Sequence, residues 1–154
     1  MSKYKSIMAV LLCVLLIALN GCDKDTAVKD YNRIIEKIGD NNLTADHDLQ
    51  GKREFGTDEY VGTYECNYKG YSGEEILFGG TSVDRKAGNK IDIGCELQID
   101  DGSIEVYFKS GSDERKVLLD RSGSYKETLE LPAASDYVGI KCYEFSGTIN
   151  LNIE

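Results

Sequence analysis

Three hydrophobic patterns follow one another along the chain. Ile7–Leu19 is an unbroken apolar run. Over residues 23–39 the apolar positions fall at helical spacing. Val28, Tyr31, Ile34, Ile35 and Ile38 make one stripe, Asp25 or Thr26 can cap the start, and Gly39 ends it. The spacing predicts an amphipathic helix. Residues 40–58 are polar and aperiodic and read as a tether, with Leu43, Leu49 and Phe55 as the side chains able to dock on a neighbouring domain. From Glu59 onward the period becomes two, with turn signals at short intervals.

The clearest unit of the third region is an expected hairpin. Ile91, Ile93, Cys95, Leu97 and Ile99 alternate with polar or small residues, as do Ile104, Val106 and Phe108 beyond Asp101-Gly102. Asp-Gly is a favoured type I′ turn. A two-residue loop there pairs Ile99 with Ile104, Leu97 with Val106 and Cys95 with Phe108, placing every apolar residue on one face. Further strands are expected at 60–69, 75–83, 115–120, 125–131, 137–143 and 147–153. In the last, Ile149, Leu151 and Ile153 face inward while Thr148, Asn150 and Asn152 face outward. The expected fold is mostly β: a single antiparallel β-sandwich or jelly-roll-like domain of about eight strands over 59–154, preceded by the short helix. An internal echo accompanies it. Cys66 followed by Tyr71-Ser72-Gly73 resembles Cys142 followed by Phe145-Ser146-Gly147, each reading as strand, aromatic-Ser-Gly turn, strand.

The apolar run is too short for the roughly 20 residues of a membrane-spanning helix. Lys3 and Lys5 precede it without any acid, and it closes on Leu19-Asn20-Gly21-Cys22. This order of cations, apolar stretch, small residue and Cys resembles the lipobox signal of bacterial lipoproteins. The resemblance covers residues 1–22 only and implies cleavage between Gly21 and Cys22, a thioether lipid on Cys22 and acylation, palmitate included, of the new amino terminus. It implies residues 1–21 as signal peptide, 22–58 as lipid anchor, helix and tether, and a location on the extracytoplasmic face of the cell membrane. Two or three acyl chains hold a protein stably where one is marginal. Asp23 resembles the inner-membrane retention signal of Gram-negative lipoproteins and carries no sorting meaning in a Gram-positive cell.

Charge narrows the partners. The full chain carries −9, and loss of a leader with two Lys and no acid makes the remainder more acidic. Such a surface repels phosphate backbones and anionic lipid heads, which argues against nucleic acid and leaves the lipid as the membrane contact. One Pro, sixteen Gly and ten Tyr suit a turn-rich β protein. Beyond Cys13 and Cys22 the thiols are Cys66, Cys95 and Cys142, either three core thiols or a Cys66–Cys142 bridge with one thiol left over. No C-x-x-C pair gives a zinc or redox spacing.

Catalytic patterns are sparse. His47, the sole His, stands between Asp46 and Asp48 in the polar segment, away from any nucleophile. In the expected hairpin Glu96 and Glu105 sit diagonally on an exposed face, where nothing would raise either to a general acid. Asp100-Asp101, Ser112-Asp113-Glu114 and Asp120 offer hard oxygen ligands for calcium but lack the spacing of a calcium loop. Phe78-Gly79-Gly80-Thr81 has no Lys or helix to make a phosphate loop and reads instead as a close backbone approach. The tyrosines are the remaining signal: Tyr64, Tyr68, Tyr71 and Tyr143 on one exposed face would form a platform for stacking on sugar rings, and buried they would serve the core.

Three functions follow: a non-catalytic, lipid-anchored domain that binds a protein partner or supports an envelope structure; a carbohydrate- or small-ligand-binding module using the tyrosine face; and an enzyme. Exposure of Tyr64, Tyr68 and Tyr143 separates the second from the first. A pocket with convergent carboxylates of perturbed pKa would favour the third.

Overall fold

The computed structural model describes residues 42–81, 85–132 and 135–154. The leader, Gly21, Cys22 and the expected 23–39 helix lie outside these residues, as do the last two positions of the expected 75–83 strand. The described residues form one antiparallel sheet of six strands: β1 (Lys52–Phe55), β2 (Gly62–Thr81), β3 (Lys90–Ser110), β4 (Lys116–Leu119), β5 (Gly123–Glu130) and β6 (Ser135–Ile153). The order is β1-β2-β6-β3-β4, with β5 also on β3. β6 lies between β2 and β3 along its whole length. β1 and β5 flank the half built from the start of β2, the start of β3 and the end of β6, while β4 borders the other half.

Six strands replace the expected eight: three expected strand pairs are continuous, which leaves five, and β1 adds a strand inside the segment expected as a tether. Segments 60–69 and 75–83 fuse into β2, and 137–143 and 147–153 fuse into β6. The Asp101-Gly102 hairpin is also corrected: β3 runs straight through it. Leu97 pairs with Ile149, Cys95 with Leu151, Val106 with Ile140 and Phe108 with Val138. The hydrophobic register fitted the wrong partner because β6 alternates in the same way and satisfies the same face. Gly102 does adopt a left-handed conformation, with φ 72°, and a Cβ there would strike the Glu144 carbonyl. Asp-Gly therefore makes a bulge opposite the neighbouring strand β6 instead of a turn. Register shifts at Tyr68/Tyr71/Gly73 in β2 and Ile99/Asp101/Ser103 in β3 meet the Phe145–Gly147 stretch of β6, so all three long strands bend together.

Inward residues on both sides of this bend share one core. Tyr64, Ile93, Leu97, Ile149 and Leu151 come from one half, and Leu77, Phe78, Val106, Val138 and Ile140 from the other. The segment expected as a tether is tied in from residue 42 onward. Thr44 N–H donates to the Ile76 carbonyl (3.0 Å), and Ile76 N–H donates to Thr44 Oγ1 (2.8 Å). The Arg53 guanidinium, almost wholly buried, donates to the carbonyls of Leu77 (2.9 Å) and Thr44 (2.8 Å) and to Asp46 (2.6 Å). Leu49 packs on the core and Phe55 meets Phe78 edge-on at 6.0 Å, both as expected of docking side chains.

Candidate functional site

The strand period places Tyr64 and Tyr68 inward, and the structure buries both, at 0% and 2% exposure. Their hydroxyls lie 2.7 Å apart and both donate to Oε2 of Glu75, Tyr64 at 2.8 Å. Gln50 N–H donates to the other oxygen at 2.6 Å. A carboxylate 1% exposed is thus fully partnered, as burial requires. Burial pushes both phenols far above their ordinary pKa. Tyr71 is half-buried, its ring 5.3 Å from that of Tyr68. Tyr143 is 67% exposed. The four tyrosines therefore share no exposed face, and stacking on Tyr64 or Tyr68 is ruled out by their burial. Glu75 went unnoticed in the sequence, though it falls in step with Leu77.

Other candidates are also placed. Cys66, Cys95 and Cys142 are free thiols, the first half-buried and the others buried. Burial pushes Cys95 and Cys142 up to about 12, which keeps them as inert thiols. His47 is exposed beside Asp48. Glu96 and Glu105 lie nine positions apart on one strand, on opposite sides of the bend, so the expected diagonal pair does not form. The acidic loops considered for calcium do not converge: among the described residues no group of three His, Cys, Asp or Glu could hold a metal ion. Gly79 is a close approach as expected, since a Cβ would collide with the Asp136 carbonyl. Asp136 itself is 2% exposed, and its Oδ1 has no partner. Burial, opposed by the Ser110 hydroxyl, pushes its carboxyl up to about 6.

A depression lies on the outer face of the five-stranded half. Cross-strand pairing lines up polar residues in rows. Glu65, Asn150, Glu96 and Ser124 form one row, and Thr63, Asn152, Gly94 and Lys126 the next. Together they wall a cavity of about 380 Å³, with Cys95, Tyr125 and Leu151 also at its lining. That size falls within the range of small-ligand sites. Gly94 opens the centre: a Cβ there would meet only the Asn152 carbonyl oxygen, at 3.8 Å. A strand-centre glycine without positive φ has no conformational reason to be glycine, and such positions often mark close approach by a ligand. Asn152 donates to Glu154 (3.0 Å). The side chains of Thr63, Glu96, Ser124, Lys126 and Asn150 form no hydrogen bond or ion pair with other described residues, while Glu65 faces Lys52 across the β1–β2 ladder and acts on its charge. The outward phase of Asn150 and Asn152 was legible from alternation; their alignment with Glu65, Gly94 and Lys126 depended on strand order and was not.

No family model matches the chain, and no curated protein sequence matches it. Among solved structures it is similar to a secreted serine protease from Vibrio cholerae (TM-score 0.41, 10% identity, 65% of this chain), of whose length it spans 22%. It is also similar to a family 29 carbohydrate binding module (TM-score 0.39, 13% identity, 68% of this chain and 74% of that one). A third likeness is to a periplasmic inhibitor of g-type lysozyme from Aeromonas hydrophila (TM-score 0.36, 11% identity, 66% of this chain and 92% of that one).

Proposed function

We propose that this protein is a lipid-anchored, extracytoplasmic binding domain without catalytic activity, which takes an envelope partner, protein or glycan, on the depression over Gly94. The observation that carries this reading is the set of polar side chains, Thr63, Glu96, Ser124, Lys126 and Asn150, that have no hydrogen-bond partner among the described residues, around an open glycine floor. Polar groups left free of one another in a concavity are available to a ligand without first breaking internal bonds. The Leu19-Asn20-Gly21-Cys22 signal supports the anchor and the extracytoplasmic location. A folded β domain behind a lipidated Cys22 would present its face within reach of the membrane surface.

The test uses the full chain in detergent, immobilised and exposed to separate protein and polysaccharide fractions of a bacterial envelope. Retention that disappears in Gly94→Ile supports the reading. Equal retention by the variant, or none by either chain, overturns it.

A further inference from the structure

Resting on the reading of the Gly94 depression as a binding site, we infer that its ligand is a neutral, hydroxyl-rich chain, an oligosaccharide, held by hydrogen bonds and not by aromatic stacking.

The donor and acceptor balance selects the class. Glu65 and Glu96 only accept, Lys126 only donates, and Asn150, Ser124 and Thr63 do both. A phosphate needs donors throughout and would meet two carboxylates. A single cation needs converging acceptors, but Glu65 and Glu96 stand on either side of Asn150, two strand spacings or about 10 Å apart. Calcium takes about six to eight oxygen ligands, and among the described residues no group of three His, Cys, Asp or Glu could hold a metal ion. Sugar hydroxyls donate and accept at once, which matches a mixed lining.

A protein partner fits less well. Interface centres rely on aromatic or apolar anchors. The exposed large hydrophobics among the described residues are Phe55, Val117 and Tyr143, and none lines the depression. Tyr125, the aromatic at its lining, is half-buried against the core with its hydroxyl donated to Glu127. An extended peptide added as a strand needs unpaired backbone. Beneath the centre of the depression β6 and the first half of β3 are paired on both sides. The row from Glu65 to Ser124 crosses four strands, a span of about 14 Å, which suits a chain lying across the strands.

Gly94 supplies the selective test, because its outward position leaves the core untouched. Calorimetric titration of the full chain in detergent with neutral gluco-, manno-, xylo- and N-acetylglucosamine oligomers should show binding to at least one series. Asn150→Ala and Glu96→Gln should each weaken it ~10-fold, one hydrogen-bonding group costing about that factor. Gly94→Ile should abolish it while the melting transition is retained. Affinity should hold between 50 and 300 mM salt, as expected of a neutral ligand. Absence of binding to every neutral series overturns the inference. If a protein fraction is then still retained in a Gly94-dependent way, the site stands and the ligand class falls. Glycan binding lost in Tyr143→Ala but kept in Gly94→Ile would overturn both and move recognition to the bend. Steep weakening by salt would assign the face to a cationic ligand instead.

Discussion

Ser72 and Ser146 exchange equivalent bonds across the β2–β6 pair: Ser72 Oγ accepts the N–H of Glu144 (2.8 Å), and Ser146 Oγ accepts the N–H of Gly70 (2.9 Å). Gly70 and Glu144 each precede the aromatic of their aromatic-Ser-Gly stretch, and both are left-handed, at φ 61° and 47°. The echo in the sequence is thus a reciprocal bulge pair at the bend, with Tyr71 facing Phe145 in register.

Of these two positions, only Glu144 pays for its conformation, since a Cβ is disfavoured at positive φ. Glu144→Gly should raise stability by about 0.5–1 kcal/mol in urea unfolding. Gly70→Ala, which meets no neighbour within 4 Å, should lower it by a similar ~1 kcal/mol from backbone strain alone. A destabilised Glu144→Gly would mean that its exposed side chain contributes more than the backbone loses.

Asp136 sets a pH dependence. Its folded-state value of about 6 lies above that of an unfolded Asp, so the native state holds the extra proton between about pH 4 and 6. Stability from this group is present at low pH and is lost as pH rises through that window. Asp136→Asn should match the parent near pH 4 and exceed it above pH 7 by roughly 2–3 kcal/mol, at 1.36 kcal/mol per unit. Parallel stability curves for the two proteins across pH 4–8 would contradict it.

Arg53 clamps the segment around Thr44 to the sheet by four hydrogen bonds. Arg53→Met keeps the apolar stem but leaves buried carbonyls unpaired, at about 2–3 kcal/mol. Amide exchange at Thr44 and Gln50 should quicken more than at Ile140 or Ile149. Uniform acceleration would show that the clamp has no local role.

Gly94→Ile should also stabilise the fold, by roughly 0.5–1 kcal/mol, since glycine weakens a strand interior and β-branched residues favour it. A rise in Tm together with loss of ligand would mark the glycine as kept for recognition. A fall in Tm would show that the depression is needed by the fold.

At the amino terminus, labelled palmitate should enter the parent chain in bacterial cells and be absent from Cys22→Ser. Persistent label in the variant would remove the lipobox reading.

Alternation read from the sequence assigns faces well. Ile91 to Leu97, Ile104 to Val106 and Ile149 to Ile153 bury the predicted side, Ile99 and Phe108 are half-buried on it, and Tyr107 is buried from the opposite phase. It does not assign partners, because any strand of the same period satisfies it, and Asp101-Gly102 serves a turn and a bulge equally well. The integration of residues 42–58 escaped notice for a different reason: Arg53 and Thr44 bind backbone, and side chain-to-backbone bonds leave no periodic trace. For the tyrosines the sequence leaves a stacking platform and core burial both open, and strand phase, which puts Tyr64 and Tyr68 with the core, agrees with the burial observed. Only knowledge of which strands adjoin β6 could bring Glu65, Glu96 and Asn150 into one row.

The central place of β6 has a consequence in time. β2 and β3 share no ladder with each other and are joined only through a strand made after both. Until β6 is available, the earlier strands have no common sheet to enter, and folding must wait for contacts of long sequence separation, which form slowly. The β1–β2 and β3–β4–β5 groups can each pair beforehand, but they become one sheet only when β6 enters between them.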